Sequence, residues 1–162
     1  MKTAILYYSL TGNAEYAARR MAEKLGADLI PLTPEKAYPD SGFRKFYYGG
    51  KSAVMGEAPA LTPYAFDPRD YDCVILGTPV WAGTMAPPLR TAIREHRAAL
   101  QGKRVAAFVC SGGGGAEKAL ERIRAEVGVS AFAGKLSLID PKARPNADNE
   151  RKIADFCDKL LQ

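Results

Sequence analysis

Two hydroxyls, an amide side chain and a glycine come together in residues 9–14, between a short apolar run and a helical pattern. Backbone N–H groups at the start of a helix bind anions without a cationic side chain, because the helix dipole favours negative charge there. The segment lacks the lysine of a Walker loop and the glycines of a dinucleotide fingerprint. A phosphate site and a helix cap by Thr11 or Asn13 both fit these residues. The segment consists of Ser9, Leu10, Thr11, Gly12, Asn13 and Ala14.

The only tryptophan of the chain lies in a second segment, which also follows an apolar run. A large flat side chain beside a proline and a glycine can lie against a planar aromatic ligand. It can equally close the edge of a sheet as a partly buried residue. The segment consists of Thr78, Pro79, Val80, Trp81, Ala82 and Gly83.

A third segment has a serine and four consecutive glycines in front of another helical pattern. Because glycine has no side chain, a flat ring or an extended polyol chain can approach this backbone closely. A flexible connector is the alternative interpretation. The segment consists of Ser111, Gly112, Gly113, Gly114 and Gly115.

The elements that position these segments are five apolar runs that alternate with amphipathic stretches in a single domain, residues 1–162. Such alternation predicts an α/β fold, a three-layer sandwich with helices on both faces of a five-stranded parallel sheet. Right-handed crossovers favour the strand order 2-1-3-4-5. The predicted strands are 3–8, 27–32, 72–78, 103–110 and 131–139, and the predicted helices are 14–25, 87–100, 116–127 and 149–161.

In this topology the ligand crevice lies outside the carboxyl ends of the strands, where the strand order reverses. The loops after strands one, three and four are the three segments described above. Together they predict a site for a phosphorylated planar heterocycle. The long proline-containing stretch 33–70 interrupts the alternation, which indicates either a functional loop or a helix hidden within 42–54.

With these motifs, the chain resembles the flavodoxin family, whose members bind FMN. The resemblance is most specific in Tyr8-Ser9-Leu10-Thr11-Gly12-Asn13 and in residues 77–83. It implies that residues 9–13 hold the FMN phosphate, that 78–83 line the isoalloxazine, and that 111–115 close its other edge. Residues 131–139 lead into the last helix without an insertion, as in the short-chain branch.

The chain departs from the family pattern at several places. Ala14 stands where many members have a further hydroxyl, and the third segment has no tyrosine to stack on the outer face of the ring. The candidates for that stacking are Phe43, Tyr47, Tyr48 and Met55.

The charge balance is also unusual, because electron-carrying flavodoxins are typically acidic and this chain has a net charge of +5. Residues 1–82 hold 9 basic and 9 acidic side chains, whereas 83–162 hold 14 and 9. Arg90, Arg94 and Arg97 recur at helical spacing. They indicate either a solvated basic face or a docking patch for an acidic redox partner or a nicotinamide phosphate.

The expected function is that of an FMN-binding redox protein that transfers electrons to a partner protein or a small acceptor. The alternative is an NAD(P)H-dependent FMN oxidoreductase acting on quinones or nitro compounds. Nucleic acid is not expected as a partner, since the arginines lack interleaved aromatics, although a basic nucleic-acid- or partner-binding module is the non-enzyme alternative. His96 is expected to be an exposed surface residue, and no acid–base pair is expected, because a flavin carries the redox chemistry itself.

Three cysteines without CxxC spacing argue against a disulfide framework or a zinc ribbon, and they favour a reducing cytoplasm. The apolar N-terminal run is too short for a signal sequence or a membrane span. Other functions on this architecture lack their residues: the acidic groups of a receiver domain, the Cys and Arg of a small phosphatase loop, and the GxSxG of a hydrolase.

Overall fold

The predicted strands and helices are present in the computed structural model of the protein, which describes residues 1–40 and 42–162. The side chains of Phe43, Lys45, Phe46 and Tyr47 lie outside that description, and so do the stacking roles considered for Phe43 and Tyr47. The strands are β1 (Thr3–Tyr7), β2 (Asp28–Pro31), β3 (Cys73–Trp81), β4 (Thr84–Met85), β5 (Arg104–Ser111) and β6 (Lys135–Ile139). The helices are α1 (Asn13–Leu25), α2 (Gly42–Val54), α3 (Pro87–Gln101), α4 (Ala116–Val127) and α5 (Ala147–Leu161).

Five parallel strands form the sheet in the order β2-β1-β3-β5-β6, which confirms the predicted order 2-1-3-4-5. The short strand β4 was not predicted and pairs antiparallel with the end of β3. Ala82 and Gly83 join the two strands with φ angles of 50° and 72°. Two consecutive positive φ angles are the requirement of a tight hairpin turn, so Gly83 is needed for the turn itself.

Helices cover both faces of the sheet, as predicted. One apolar layer lies between the sheet and α3 with α4, and the other lies between the sheet and α1 with α5. All five residues of β1 are buried, which explains the uninterrupted apolar run that predicts it. In β3, a Cβ on Gly77 would lie 2.1 Å from the Phe108 ring of β5, so this glycine makes room for the neighbouring aromatic side chain.

The long segment 33–70 contains the suspected helix as α2, and a short 3-10 turn at Pro68–Asp70. The strand predicted to begin at residue 131 begins only at Lys135. In the described part of the chain, no helix has the length and apolar content needed to cross a bilayer. Cys73, Cys110 and Cys157 are buried free thiols.

Candidate functional site

A cavity of about 340 Å³ opens at the carboxyl edge of the sheet, and the three predicted segments all contribute to its walls. Its volume lies within the range of small-molecule pockets. Eleven of the predicted site residues line it: Ser9, Leu10, Thr11, Asn13, Ala14, Pro79, Val80, Trp81, Ala82, Ser111 and Gly112. Gly50, Cys110 and Asp140 complete the wall.

The first segment leaves the start of α1 open. Gly12 precedes the helix with a φ of 99°, and no side chain caps it, so the cap interpretation of Thr11 or Asn13 is wrong. The first N–H groups of a helix have no partner within the helix, and an anion can accept hydrogen bonds from them. Ser9 Oγ is buried and has no hydrogen-bond partner among the described residues. An uncapped helix and an unpartnered hydroxyl therefore meet at one cavity wall, and both fit a phosphate group.

The Asn13 side chain faces a different loop, formed by residues 140–146 between β6 and α5. Asn13 Oδ1 accepts hydrogen bonds from the backbone N–H of Lys142 (2.9 Å) and of Ala143 (3.2 Å). Asn13 Nδ2 donates to Asp140 Oδ1 at 3.4 Å. The Asn13 side chain thus fixes the β6–α5 loop beside the cavity. The backbone N–H of Asn13 is the group of this residue that is left for a ligand.

The β6–α5 loop brings charged residues that the sequence interpretation missed. The Lys142 side chain lies against Gly12, so that a Cβ added there would lie 2.7 Å from Lys142 Nζ. Arg144 donates to Asp140 Oδ2 and, at 3.3 Å, to the carbonyl oxygen of Gly112. This loop also follows the carboxyl end of a parallel strand, which is the signal that would have identified it.

Trp81 closes the sheet edge, which is one of the two roles that its position suggested. Its ring meets Tyr38 and Tyr8 edge to face, with centroid distances of 5.1 and 5.7 Å. A Cβ on Gly49 of α2 would lie 3.4 Å from the indole. The side chain therefore closes the sheet edge under α2 and also lines the cavity.

Six predicted residues lie outside the cavity wall, and their contact with a ligand stays a prediction. Thr78 Oγ1 is buried and accepts a hydrogen bond from the Ala86 N–H at 2.9 Å, which fixes the start of α3. Gly115 packs closely on the hairpin, since a Cβ there would lie 3.2 Å from Gly83 Cα. The six residues are Gly12, Thr78, Gly83, Gly113, Gly114 and Gly115.

The remaining stacking candidates, Tyr48 and Met55, are exposed and are not among the described residues that line the cavity. Cys110 does line it, and burial raises the pKa of this thiol to about 12. The thiol is therefore protonated at neutral pH, which makes Cys110 a poor nucleophile.

Two expectations about titratable groups away from the cavity are corrected. His96 is half-buried, with Nε2 3.1 Å from Tyr64 Oη and its ring edge-on to Phe66. Burial lowers the pKa of His96. Arg90 is buried, with 5% of its surface exposed, so the stripe that it begins is not a simple solvated face.

Comparison with known proteins agrees with this fold. The sequence model of the flavodoxin family matches residues 2–148. Among solved structures, a flavoprotein of Lactobacillus acidophilus in complex with FMN has a TM-score of 0.76 at 19% identity, covering 96% of this chain and 97% of that one. A Bacteroides eggerthii protein assigned as a flavoprotein has a TM-score of 0.74 at 23% identity, covering 99% and 98%.

A flavodoxin of Streptococcus pneumoniae has a TM-score of 0.61 at 16% identity, covering 99% of this chain and 98% of that one. At these identities the solved structures establish the shared fold. The family match extends over all three segments that form the cavity wall. The chain belongs to the flavodoxin family.

Proposed function

We propose that the protein binds FMN in the cavity at the carboxyl edge of the sheet and transfers electrons through it. The observation that carries this proposal is the uncapped start of α1 beside the buried, unpartnered Ser9 hydroxyl. Both features suit a phosphate, and Trp81 lines the same cavity. Family membership and the FMN-bound Lactobacillus acidophilus flavoprotein support the choice of FMN.

Each part of the wall has a distinct role in this proposal. The backbone N–H groups at the start of α1 and the Ser9 hydroxyl would bind the phosphate, and the Lys142 ammonium of the β6–α5 loop would add a positive charge beside Gly12. Trp81 and Gly112 would flank the ring system. When bound, FMN supplies one- and two-electron redox chemistry, while the chain binds it, orients it and excludes water.

Two versions of this function differ in the electron donor and the electron acceptor. In the first, the protein is an electron carrier that meets a redox partner protein. In the second, it is an NAD(P)H-dependent oxidoreductase that reduces a small acceptor such as a quinone. The basic second half of the chain favours a negatively charged partner or reductant over the partners of acidic flavodoxins.

FMN binding is testable with the single tryptophan as the probe. Titration of the apo-protein with FMN is expected to quench the fluorescence of Trp81, and a stoichiometric yellow complex should survive gel filtration. Riboflavin, which lacks the phosphate, should bind more weakly, because it leaves the start of α1 and Ser9 without a partner. Unchanged fluorescence and no retained chromophore would overturn the proposal.

A second assay distinguishes the two versions. The FMN-loaded protein is mixed with NADPH or NADH and a quinone, and nicotinamide oxidation is followed. A carrier should oxidise neither nucleotide unless a separate reductase is added. Sustained turnover without a reductase would assign the oxidoreductase activity.

A further inference from the structure

A second cavity, of about 400 Å³, lies between the end of α2, strand β4 and helices α3 and α4. Four arginines line it, Arg90, Arg94, Arg97 and Arg122, and the only carboxylate in its described wall is that of Glu126. We call this cavity the arginine groove. These five side chains have a formal net charge of +3. The four positive charges repel one another at this short range.

Arg90 lies buried at the bottom of the groove. Its guanidinium donates to the carbonyl oxygens of Glu57 (3.0 Å) and Ala53 (3.4 Å). No carboxylate of the described residues forms an ion pair with it, and burial lowers its pKa. A buried cation with neutral partners alone is costly, because neutral carbonyls replace only part of its hydration. An anion in the groove would compensate that charge.

The other arginines leave donors available at the surface. Arg94 Nε pairs with Glu126 Oε1 at 2.6 Å, and Arg97 Nε donates to the carbonyl oxygen of Val127 at 3.4 Å. Arg122 is exposed and makes no hydrogen bond or ion pair within the described ranges 1–40 and 42–162. Guanidinium groups present forked N–H donors that match the oxygens of phosphate.

The groove shares a wall with the proposed FMN cavity. Gly50 lines the FMN cavity and Ala53 lines the groove, three residues further along α2, which is about 5 Å of helix. On the hairpin, Ala82 faces the first cavity and Thr84 the second. A ligand held in the groove would therefore lie beside the flavin site.

The size of the groove suits a small molecule. Its volume is that of a ligand pocket and exceeds the needs of one inorganic anion. Val54, 64% exposed, gives the groove an apolar rim beside the guanidinium groups. A nucleoside phosphate combines these two chemistries, an anionic group and a base whose flat ring faces can lie on apolar side chains.

We propose that the arginine groove binds the phosphate groups of a nucleotide, at a site separate from the phosphate loop of the FMN cavity. The proposal concerns binding alone and does not depend on FMN. If the protein also binds FMN, as proposed above, a nucleotide in the groove is positioned beside the flavin.

Isothermal titration calorimetry of the protein saturated with FMN tests this site, with NADP⁺, NAD⁺, ADP and inorganic phosphate as probes. At least one nucleotide should bind more tightly than inorganic phosphate, and its affinity should fall as salt rises. NADP⁺ binding above that of NAD⁺ and ADP would identify the 2′-phosphate as the preferred group, whereas equal binding of NADP⁺ and ADP would identify a general nucleotide site.

The variant Arg94→Ala/Arg122→Ala keeps the buried Arg90 and should weaken nucleotide binding about tenfold or more. Arg151→Ala on α5, an exposed arginine outside the groove, is the matched control and should bind as the parent does. Thermal melts of all variants establish that they are folded.

Absence of binding heat with every nucleotide would overturn the proposal, as would equal losses in the groove variant and in the control. Inorganic phosphate binding as tightly as the nucleotides would overturn the nucleotide assignment. If the protein fails to bind FMN, the same titrations on the apo-protein decide the groove on its own. Nucleotide binding there would support the groove while the proposed function fails.

Discussion

Lys142 lies directly against Gly12, close enough that a Cβ on Gly12 would be 2.7 Å from Lys142 Nζ. The two residues are far apart in sequence, and the Asn13 side chain joins their loops through the backbone N–H groups of Lys142 and Ala143. Residues 9–13 carry no charged side chain of their own. A remote loop thus brings a positive charge to the proposed phosphate site, which otherwise relies on backbone dipoles and hydroxyls.

Replacing Lys142 should therefore weaken the binding of FMN more than the binding of riboflavin. A charge-assisted hydrogen bond to phosphate is worth about 1.5–3 kcal/mol, so we expect Lys142→Gln to raise the FMN dissociation constant by about tenfold or more. Titration of tryptophan fluorescence measures both ligands. Lys159→Gln, an exposed lysine on α5, is the control and should leave both affinities unchanged. Equal losses for FMN and riboflavin would contradict a contact to the phosphate.

Gly77 should tolerate no side chain, because the Cβ of an alanine would lie 2.1 Å from the Phe108 ring in a packed sheet. Overpacking of this kind destabilises the fold, and we expect Gly77→Ala to lower the free energy of unfolding by about 3 kcal/mol. Chemical denaturation measures the change.

Two further variants isolate the cause of that loss. Gly114→Ala meets no atom within 4 Å and should stay within about 0.5 kcal/mol of the parent protein. Adding Phe108→Leu to Gly77→Ala should recover part of the lost stability, because it removes the clashing ring. A double variant no more stable than the sum of two independent losses would rule out the steric explanation.

The single histidine predicts a pH dependence of stability. Burial lowers the pKa of His96 in the fold, so the unfolded chain binds a proton at a higher pH than the native protein does. The free energy of unfolding should therefore fall from about pH 7.5 to about pH 5.5, by at most about 1.4 kcal/mol per pH unit. Denaturation curves at several pH values measure this slope.

Burial is the largest influence on the pKa of His96, and it outweighs the carboxylates of Glu95 and Asp67, which act in the opposite direction. Tyr64 Oη lies 3.1 Å from His96 Nε2 and donates a hydrogen bond to Glu95. An ion pair with Arg69 lowers the pKa of Asp67 to about 2, so Asp67 stays ionised throughout this range. His96→Gln should flatten the slope. A variant with the same slope as the parent would assign the pH dependence to other residues.

The parts of the fold that the sequence predicts are those whose signal is local. A strand buried on both faces, such as β1, reads as an uninterrupted apolar run, and α1 shows its buried alanines at helical spacing. Strand β4 has only two residues, and it depends on the positive φ of Ala82. Because alanine seldom adopts this conformation, no local sequence pattern predicts the strand.

The site was predictable only where its residues follow one another along the chain. The three loops at the sheet edge follow from the strand order, but the position of Lys142 depends on the packing of the β6–α5 loop against Asn13. The charge of Arg90 is visible in the sequence, whereas its burial is not, because the carbonyl oxygens that bind it come from the end of α2 and the loop that follows it.

Ser9 provides the sharpest test of the phosphate site, since the apo-protein and the FMN complex should respond in opposite ways. Its buried hydroxyl has no partner within the described residues, so Ser9→Ala removes an unsatisfied group and should leave the apo-protein as stable or slightly more stable. In the complex the same change removes a hydrogen bond to phosphate, and the FMN dissociation constant should rise by about five- to tenfold.

Thr3 supplies the matched control, because its hydroxyl is also buried without a partner in the described part of the chain, but at the opposite end of β1. Thr3→Val should change the stability of the apo-protein in the same direction and leave the affinity for FMN unaltered. Thermal melts of the apo-proteins and fluorescence titrations with FMN give the two readouts. If Ser9→Ala destabilised the apo-protein and bound FMN as the parent does, the hydroxyl would serve the fold and not the ligand.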